Sequence, residues 1–312
     1  MPEKEFSAEE FARKEMKRLL DLKFTKFLQY FGYYEVLMRL RGVEETERLL
    51  AKYSYLLLRY ADDVGDGDHP DFTKREDQKK ELINILGYVS NPYDQQAVSV
   101  TPLYDEIISL FSEKGVDDEV VITLFSQAIV YIQYDFDRSS LEDVQPALSK
   151  TDLDRYFYNA FKDSVNILCY GLGQQKFLVP DELKFEENGE PILERLQALC
   201  YAQGQLYSIR DLHIDWPRNI KNIPAEVLKS ARLTTESSYE EVVNNRFIHF
   251  YFLRQTEKME KALDTLTETI KDLSHPEARF MCMQLVKKMK RIIAENYKKF
   301  SLPQILKEKP HR

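Results

Sequence analysis

Helical periodicity runs through almost the whole chain and constrains its fold more than any other feature. It begins after Ser7-Ala8-Glu9-Glu10, a capping-box pattern typical of a helix start, and continues with apolar residues at helical spacing. Only 10 glycines are spread over 312 residues, and the 12 prolines fall mostly between helical segments. No segment shows a convincing strand pattern. The sequence therefore predicts an all-α protein.

The predicted helices follow one another without a domain linker. One helix is expected from about residue 44 to the aspartate-rich segment at 62–66, and others at 73–89, 102–113, 117–137, 151–171, 191–216, 238–272 and 276–299. No Gly-, Ser- or Pro-rich stretch divides them. With 43% apolar and 12% aromatic residues, the chain can bury a large core. We predict one domain over residues 1–312, a bundle around a central active-site cavity, with short flexible termini at about 1–6 and 305–312.

Charge and cysteine spacing exclude several classes of protein. The formal net charge of −8 argues against nucleic acid as the main partner, because phosphate-backbone binding needs a clustered cationic surface. Cys169, Cys200 and Cys282 lie far apart in sequence and form neither a paired metal motif nor an obvious disulfide framework, so a reducing compartment is the default expectation. The start does not have the pattern of a signal peptide, and no run of about 18 apolar residues occurs. We expect a cytoplasmic protein, with reversible contact to an anionic membrane left open by the basic run at 287–291.

Two aspartate pairs in the chain have the same spacing. Asp62 and Asp66 lie four residues apart, and Asp211 and Asp215 repeat this spacing about 150 residues later. On a helix, this spacing places both carboxylates of a pair on one face. Acidic pairs also occur by chance in a chain with 52 acidic residues, and most of them are solvated helix faces. The aromatic helix that precedes each pair makes a functional reading stronger here.

Two opposed carboxylate faces suit the departure of a diphosphate. Mg²⁺ takes oxygen ligands, typically one or two carboxylates together with phosphate oxygens and water. Bound ions neutralise a leaving pyrophosphate, so the developing charge is bound better than the ground state. Ionisation of an allylic diphosphate leaves a carbocation that survives only in a cavity closed to water, where aromatic faces stabilise it. The paired aspartates therefore indicate Mg²⁺-dependent ionisation of such a substrate.

The segments around both pairs resemble signatures of the squalene and phytoene synthase family. Residues 55–66 combine a Tyr, an Arg and a DxxxD motif in the family's order, and residues 208–215 resemble its second acidic motif, with Pro224 at the usual distance. Between them, residues 152–160 resemble the family's helix that opens on Asp-Leu, and residues 134–137 resemble the segment just upstream. The resemblance covers roughly residues 30 to 300.

This resemblance implies a single all-α isoprenoid-synthase domain that uses Mg²⁺ and a prenyl diphosphate such as farnesyl or geranylgeranyl diphosphate. By analogy, Arg59 and Arg210 contact diphosphate, and Tyr55 lies near the reacting carbons. The implied metal ligands are the aspartates Asp62, Asp63, Asp66, Asp211 and Asp215. The implied catalytic residues are Tyr55, Arg59 and the four outer aspartates, without Asp63. A role for NADPH stays open, because a helical enzyme can bind this cofactor without a glycine-rich fingerprint.

Departures from the family pattern fall near the second pair. Tyr207 stands where the family has Asn, and a phenol is a poorer Mg²⁺ ligand than an amide oxygen, which leaves the number of ions open. Gly204 replaces a Gln, and Phe161 replaces a Gly. Together with Tyr158, these residues are predicted to line the cavity and to alter its shape. Residues 33–36 also differ from the family's Ser-rich segment before the first pair.

These patterns favour a transferase that ionises one prenyl diphosphate and joins the cation to a second one. In one alternative, a single prenyl diphosphate is cyclised, quenched by water as in hydroxysqualene synthases, or transferred to a small non-prenyl nucleophile. In a second alternative, the chain is a non-catalytic assembly or binding protein of the same fold. A protein without metal chemistry has little physical reason to keep Arg59 and the four outer aspartates together, which argues against the second alternative.

Overall fold

The computed structural model describes residues 7–27, 43–93, 96–140 and 146–300. Within these ranges the chain forms α-helices, a short 3₁₀ helix at Gln175–Phe177 and an isolated bridge between Phe185 and Pro191, and no strand. The all-α prediction is confirmed. The segment at 33–36, in which the sequence departs from the family pattern, lies outside the described residues.

The α-helices are numbered here in chain order. Their bounds are α1 Ala8–Phe27, α2 Glu45–Asp66, α3 Arg75–Ser90, α4 Thr101–Glu113, α5 Asp118–Ser140, α6 Lys150–Gly171, α7 Gln197–Arg210, α8 Leu212–Asp215, α9 Ala225–Ser230, α10 Tyr239–Val243, α11 Arg246–Lys271 and α12 Pro276–Phe300. No helix among the described residues is both long and apolar enough to cross a membrane.

Side-chain caps mark the starts of α1, α10 and α11. The predicted capping box opens α1, since Glu10 N–H donates to the Ser7 hydroxyl and Ser7 N–H donates to the Glu10 carboxylate. The segment at 238–272, predicted as one helix, is divided into α10 and α11. Its division follows from Asn245, whose side-chain oxygen accepts the Phe247 N–H at 2.9 Å and so begins a new helix.

The segment at 191–216, also predicted as one helix, starts later and is interrupted near its end. Its main helix, α7, begins at Gln197 and ends at Arg210, and Asp211 has a φ of −91° and a ψ of 5° before α8 begins. The Asp215 N–H nevertheless donates to the Asp211 carbonyl at 2.9 Å. The one-turn relation between the two aspartates therefore survives the interruption.

Two compact units make up the chain. Unit 1 comprises Met1–Phe136 and Asn166–Lys176, and unit 2 comprises Asp137–Val165 and Phe177–Arg312. The assignment of residues 1–312 to a single domain stays a prediction.

In unit 1, α2 packs against α1, α3 and α4. The apolar face of α2 lies in the core, because apolar residues recur along it at helical spacing, and this face includes Leu50, Leu57, Ala61 and Val64. The opposite face of α2 is polar toward its C-terminal end. Packing of the apolar face therefore fixes the direction in which the first aspartate pair points.

In unit 2, α7 is almost entirely buried, and it packs against both α11 and α12. Every residue from Gln197 to Leu206 is buried, and so are Ser208 and Ile209. Only Tyr207 and Arg210 of this helix are half-buried. The last turn of α7 is therefore the part of the helix that solvent reaches.

Candidate active site

The first aspartate pair lies at the C-terminal end of α2. The Asp62 side chain is 44% exposed, and Asp66 is exposed as the last residue of the helix. Gly67 ends α2 with a φ of 73°, a left-handed conformation that glycine adopts without strain, and its N–H donates to the Val64 carbonyl. The C-terminal end of a helix carries partial negative charge. Both the helix and its two carboxylates therefore favour a cation at this place.

Arg59 contacts the first aspartates from the preceding turn. Its Nη1 donates to Asp62 Oδ2 at 2.6 Å, and its Nη2 donates to Asp63. Burial by itself lowers the pKa of Arg59, but the charges of Asp62 and Asp63 outweigh burial and leave the pKa above its usual value. Tyr55 and Asp66 act in the same direction. The structure thus brings Tyr55, Arg59, Asp62 and Asp66 into one electrostatic cluster.

Asp63 has a different environment from its neighbour Asp62. Its side chain is fully buried, with Arg18 Nη1 at 2.8 Å from Oδ2 and Arg59 on Oδ1. Its backbone carbonyl accepts the N–H groups of the two residues that follow Gly67. Guanidinium groups thus face both carboxylate oxygens, and we assign Asp63 a structural role in joining α1 to α2. Its predicted role as a metal ligand stays untested.

Sequence reasoning missed the charged residues of α1 that support this arrangement. Arg18 Nε donates to Glu15 Oε2 at 2.7 Å, and Glu15 Oε1 lies 3.7 Å from Nε2 of the buried His69. The His69 ring meets the Tyr60 ring edge to face at a centroid distance of 5.0 Å. The sequence contains only a weak signal for their role, namely that Glu15 and Arg18 stand on the core-facing side of α1, where apolar residues are usual.

The second aspartate pair lies at the solvent-accessible end of α7. Arg210 Nε and Nη2 donate to Asp211 Oδ1 and Oδ2 at 2.7 and 2.5 Å, a paired contact that uses both oxygens. Asp211 is half-buried, as is Asp215. Each aspartate pair therefore has an arginine on its leading carboxylate, Arg59 on Asp62 and Arg210 on Asp211.

Asp215 is held by residues that the sequence did not indicate. Asn222 Nδ2 donates to Asp215 Oδ2 at 3.4 Å, and Arg138 Nη2 donates to Asn222 Oδ1 at 3.0 Å. The Arg138 guanidinium lies 5.0 Å from the centroid of the Tyr156 ring. Arg138 and Asn222 are 84 residues apart, so local sequence carries no signal for their contact.

The predicted cavity residues occupy two different environments. The Tyr158 side chain is buried, and its hydroxyl donates to the Pro180 carbonyl at 2.5 Å. A Cβ placed on Gly204 would lie 2.5 Å from the Phe157 carbonyl oxygen, so α6 and α7 meet here backbone to backbone. Tyr158 and Gly204 thus belong to the packed interior of unit 2, and their predicted role in a cavity stays untested.

Phe161 and Tyr207, by contrast, lie together at the open end of α7. Their rings meet edge to face, with a centroid distance of 5.7 Å and an interplanar angle of 75°. Both residues are larger than the Gly and Asn that the family resemblance implies at these positions, and the Phe161 ring on α6 packs on the Tyr207 ring on α7. The two substitutions therefore form one local change in shape.

The donors at both pairs have the chemistry that Mg²⁺ prefers. Asp62 with Asp66 and Asp211 with Asp215 offer carboxylate oxygens one turn apart. No group of three or more His, Cys, Asp and Glu side chains converges on a single point within the described part of the chain. An ion at either pair would therefore complete its coordination with phosphate oxygens and water, as Mg²⁺ commonly does. The carboxylates present fit Mg²⁺ on these terms.

Comparison with known proteins gives one family match. The sequence profile of the squalene/phytoene synthase family matches residues 50–299, a range that contains both aspartate pairs. No curated protein matches the chain.

Proposed function

Since this chain belongs to the squalene/phytoene synthase family, we propose that it is a Mg²⁺-dependent transferase that ionises one prenyl diphosphate and joins the resulting cation to a second prenyl diphosphate. The observation that carries the proposal is the repeated arrangement at the ends of α2 and α7, where an arginine contacts the leading aspartate of each pair. Farnesyl and geranylgeranyl diphosphate are the expected substrates.

In the proposed reaction, the bond between the first prenyl carbon and its diphosphate oxygen breaks, and the electron pair leaves with the diphosphate. Asp62, Asp66, Asp211 and Asp215 would hold Mg²⁺, which when bound neutralises the charge on the leaving group. The π electrons of the second prenyl diphosphate then form the new carbon–carbon bond, and a proton is lost as the product closes.

Arg59 and Arg210 have a specific part in this proposal. A guanidinium group binds carboxylate and phosphate oxygens with the same paired geometry. Each arginine can therefore release its aspartate to a metal ion and turn to a diphosphate oxygen without a large movement. This exchange keeps the charges of the site matched before and after the substrate binds.

Product analysis tests the proposal directly. Purified protein incubated with Mg²⁺ and farnesyl or geranylgeranyl diphosphate should release pyrophosphate and yield a doubled carbon skeleton by mass spectrometry. Asp62→Asn and Asp211→Asn should each lower the rate by about 100-fold or more, because each removes a charged metal ligand. Asp272→Asn, which changes an exposed aspartate at the end of α11, should leave the rate unchanged.

Failure to release pyrophosphate from prenyl diphosphates of any chain length would contradict the proposal. If, in addition, Asp62→Asn and Asp211→Asn were both more stable than the parent, the carboxylates would act only by repelling one another. That result would favour a non-catalytic binding protein of the same fold.

A second function is supported by the packing of Phe161 on Tyr207. These two rings add bulk to the end of α7, where the family has a Gly and an Asn. Added bulk reduces the room for a second prenyl chain and favours a reaction of one substrate by cyclisation, addition of water or transfer to a small nucleophile. In that case, the same incubation would yield a product with a single prenyl skeleton.

A further inference from the structure

Two positively charged side chains lie on the ring of Tyr207 at the end of α7. The Arg210 guanidinium carbon lies 4.5 Å from the centroid of the Tyr207 ring, and the Lys288 ammonium, from α12, lies 4.7 Å from the same centroid. Both distances are within the range in which an aromatic face attracts a cation. The Phe161 ring supports the Tyr207 ring from α6. Two monovalent cations thus lie on one aromatic ring, one helical turn before Asp211.

A second cation of α12, Lys299, lies within electrostatic range of Asp211 in the second pair. Burial lowers the pKa of Lys299, and the charge of Asp211 partly offsets this effect. Lys288 and Lys299 are eleven residues apart, about three helical turns, and so share a face of α12. This face of α12 adds positive charge to the end of α7.

A divalent ion bound one turn before Asp211 would find no good oxygen ligand at Tyr207 and would be repelled by the two cations on its ring. Where the family has an amide oxygen, this chain has the phenol of Tyr207, which is a poor ligand for Mg²⁺. The guanidinium of Arg210 and the ammonium of Lys288 would repel an ion placed near the ring. Tyr207 therefore does not fit the role of a metal-ligating residue.

We propose that the site holds one divalent ion fewer than it would with Asn at position 207, and that Arg210 and Lys288 supply the missing positive charge to the diphosphate. Two monovalent cations carry the same total charge as one Mg²⁺. The inference rests on the proposed function, since it concerns the diphosphate site of that reaction. It identifies Lys288 as a diphosphate-binding residue and Tyr207 as the residue that positions it.

The metal count tests this inference without reference to turnover. Mn²⁺ would replace Mg²⁺ as the probe, and the number of ions bound at saturation with inorganic pyrophosphate would be measured by electron paramagnetic resonance. Tyr207→Asn should bind one ion more per chain than the parent protein. Tyr207→Phe, which keeps the ring and its two cations, should bind the same number as the parent. Equal counts for the parent and a folded Tyr207→Asn would overturn the inference.

Lys288→Gln gives an independent measurement that keeps the Tyr207 ring and its contact with Phe161. Its affinity for pyrophosphate at fixed Mn²⁺ should fall about tenfold, because one charged contact is lost. The matched control is Lys290→Gln on the same helix, where the lysine pairs with Asp264 on the surface and should not affect the affinity. Equal affinities of the parent and Lys288→Gln would overturn the role of Lys288, even if Tyr207→Asn failed to fold.

Failure of this inference can be distinguished from failure of the proposed function. A parent protein that binds Mn²⁺ and pyrophosphate, together with a Tyr207→Asn variant that gains no ion, contradicts the inference alone. A parent protein that binds neither and releases no pyrophosphate from prenyl diphosphates contradicts both.

Discussion

At the scale of single residues, Asp62 and Asp63 differ far more than their adjacent positions suggest. Asp63→Asn would leave Arg18 buried against a neutral partner, and loss of one member of a buried ion pair costs about 3–5 kcal/mol. Asp62 is nearly half exposed, so Asp62→Asn should change the free energy of unfolding by about 1 kcal/mol or less. Urea unfolding of the two variants and the parent at neutral pH would measure both effects.

The two aspartate variants are matched controls for each other, because each removes one charge from the same turn of α2. Equal stability losses in both would contradict the structural role given to Asp63. A large loss for Asp62→Asn alone would reverse the assignment of the two residues.

Asp163 on α6 gives the protein a pH dependence that the proposed reaction does not require. Burial raises the pKa of its carboxyl from the ordinary 3.8 to about 6, and the adjacent Lys162 only partly offsets this effect, while Asp181 adds to it. The folded state therefore binds more protons than the unfolded state between these two values, and stability falls as the pH rises from about 4 to about 6. Above that range, the ionised carboxylate destabilises the folded state.

Asp163→Asn should remove this destabilisation. Relative to the parent, the variant should gain on the order of 2–3 kcal/mol in the free energy of unfolding at pH 7. At pH 4 the gain should be close to zero, since the parent carboxyl is then largely protonated in the folded state. Urea unfolding at the two pH values measures the difference, and a gain that did not depend on pH would show that burial of the charge is not its cause.

At the scale of helices, the contact of α6 with α7 depends on the absence of a side chain at Gly204. Gly204→Ala would place a Cβ 2.5 Å from the Phe157 carbonyl oxygen, and backbone atoms cannot move aside as a flexible side chain does. The added methyl should therefore cost about 1–3 kcal/mol or more, despite the better helix propensity of alanine. Thermal and urea unfolding would detect this loss.

Gly87→Ala on α3 is the control for that substitution. Nothing lies within 4 Å of a Cβ at Gly87, so helix propensity alone should act there and stabilise the protein by up to about 1 kcal/mol. Opposite signs for the two variants are expected. A stabilising effect of Gly204→Ala would mean that α6 and α7 can separate at little cost.

Helix positions were largely predictable, whereas the breaks in helices were not. Periodicity located α2 to α6 and α12 within a few residues, because apolar spacing reports directly on which face is buried. The break at Asn245 depends on one side chain capping the next helix, and the break at Asp211 falls inside a segment whose sequence stays helical in pattern. The short helix α9 was not predicted at all, since six residues carry too little periodic signal.

At the scale of the whole molecule, the residues that carry the proposed chemistry were easier to predict than those that support them. The aspartate pairs and their arginines are close in sequence, so spacing alone brought them together. Arg18 reaches Asp63 from another helix, and Arg138 reaches Asn222 across 84 residues. Such supporting contacts arise only when the chain folds, and a single sequence does not show them.

Unit 1 is built from two separate segments of the chain, and this affects how the protein folds during its synthesis. Its second segment, Asn166–Lys176, is separated from the first by residues that belong to unit 2. That segment contributes Ile167 to the core of unit 1, and Gly171 lies within 4 Å of Leu50 and Phe111 when a Cβ is placed on it. A ribosome must therefore translate past Lys176 before unit 1 has all its parts. Until then, the nascent chain exposes apolar surface that chaperones recognise.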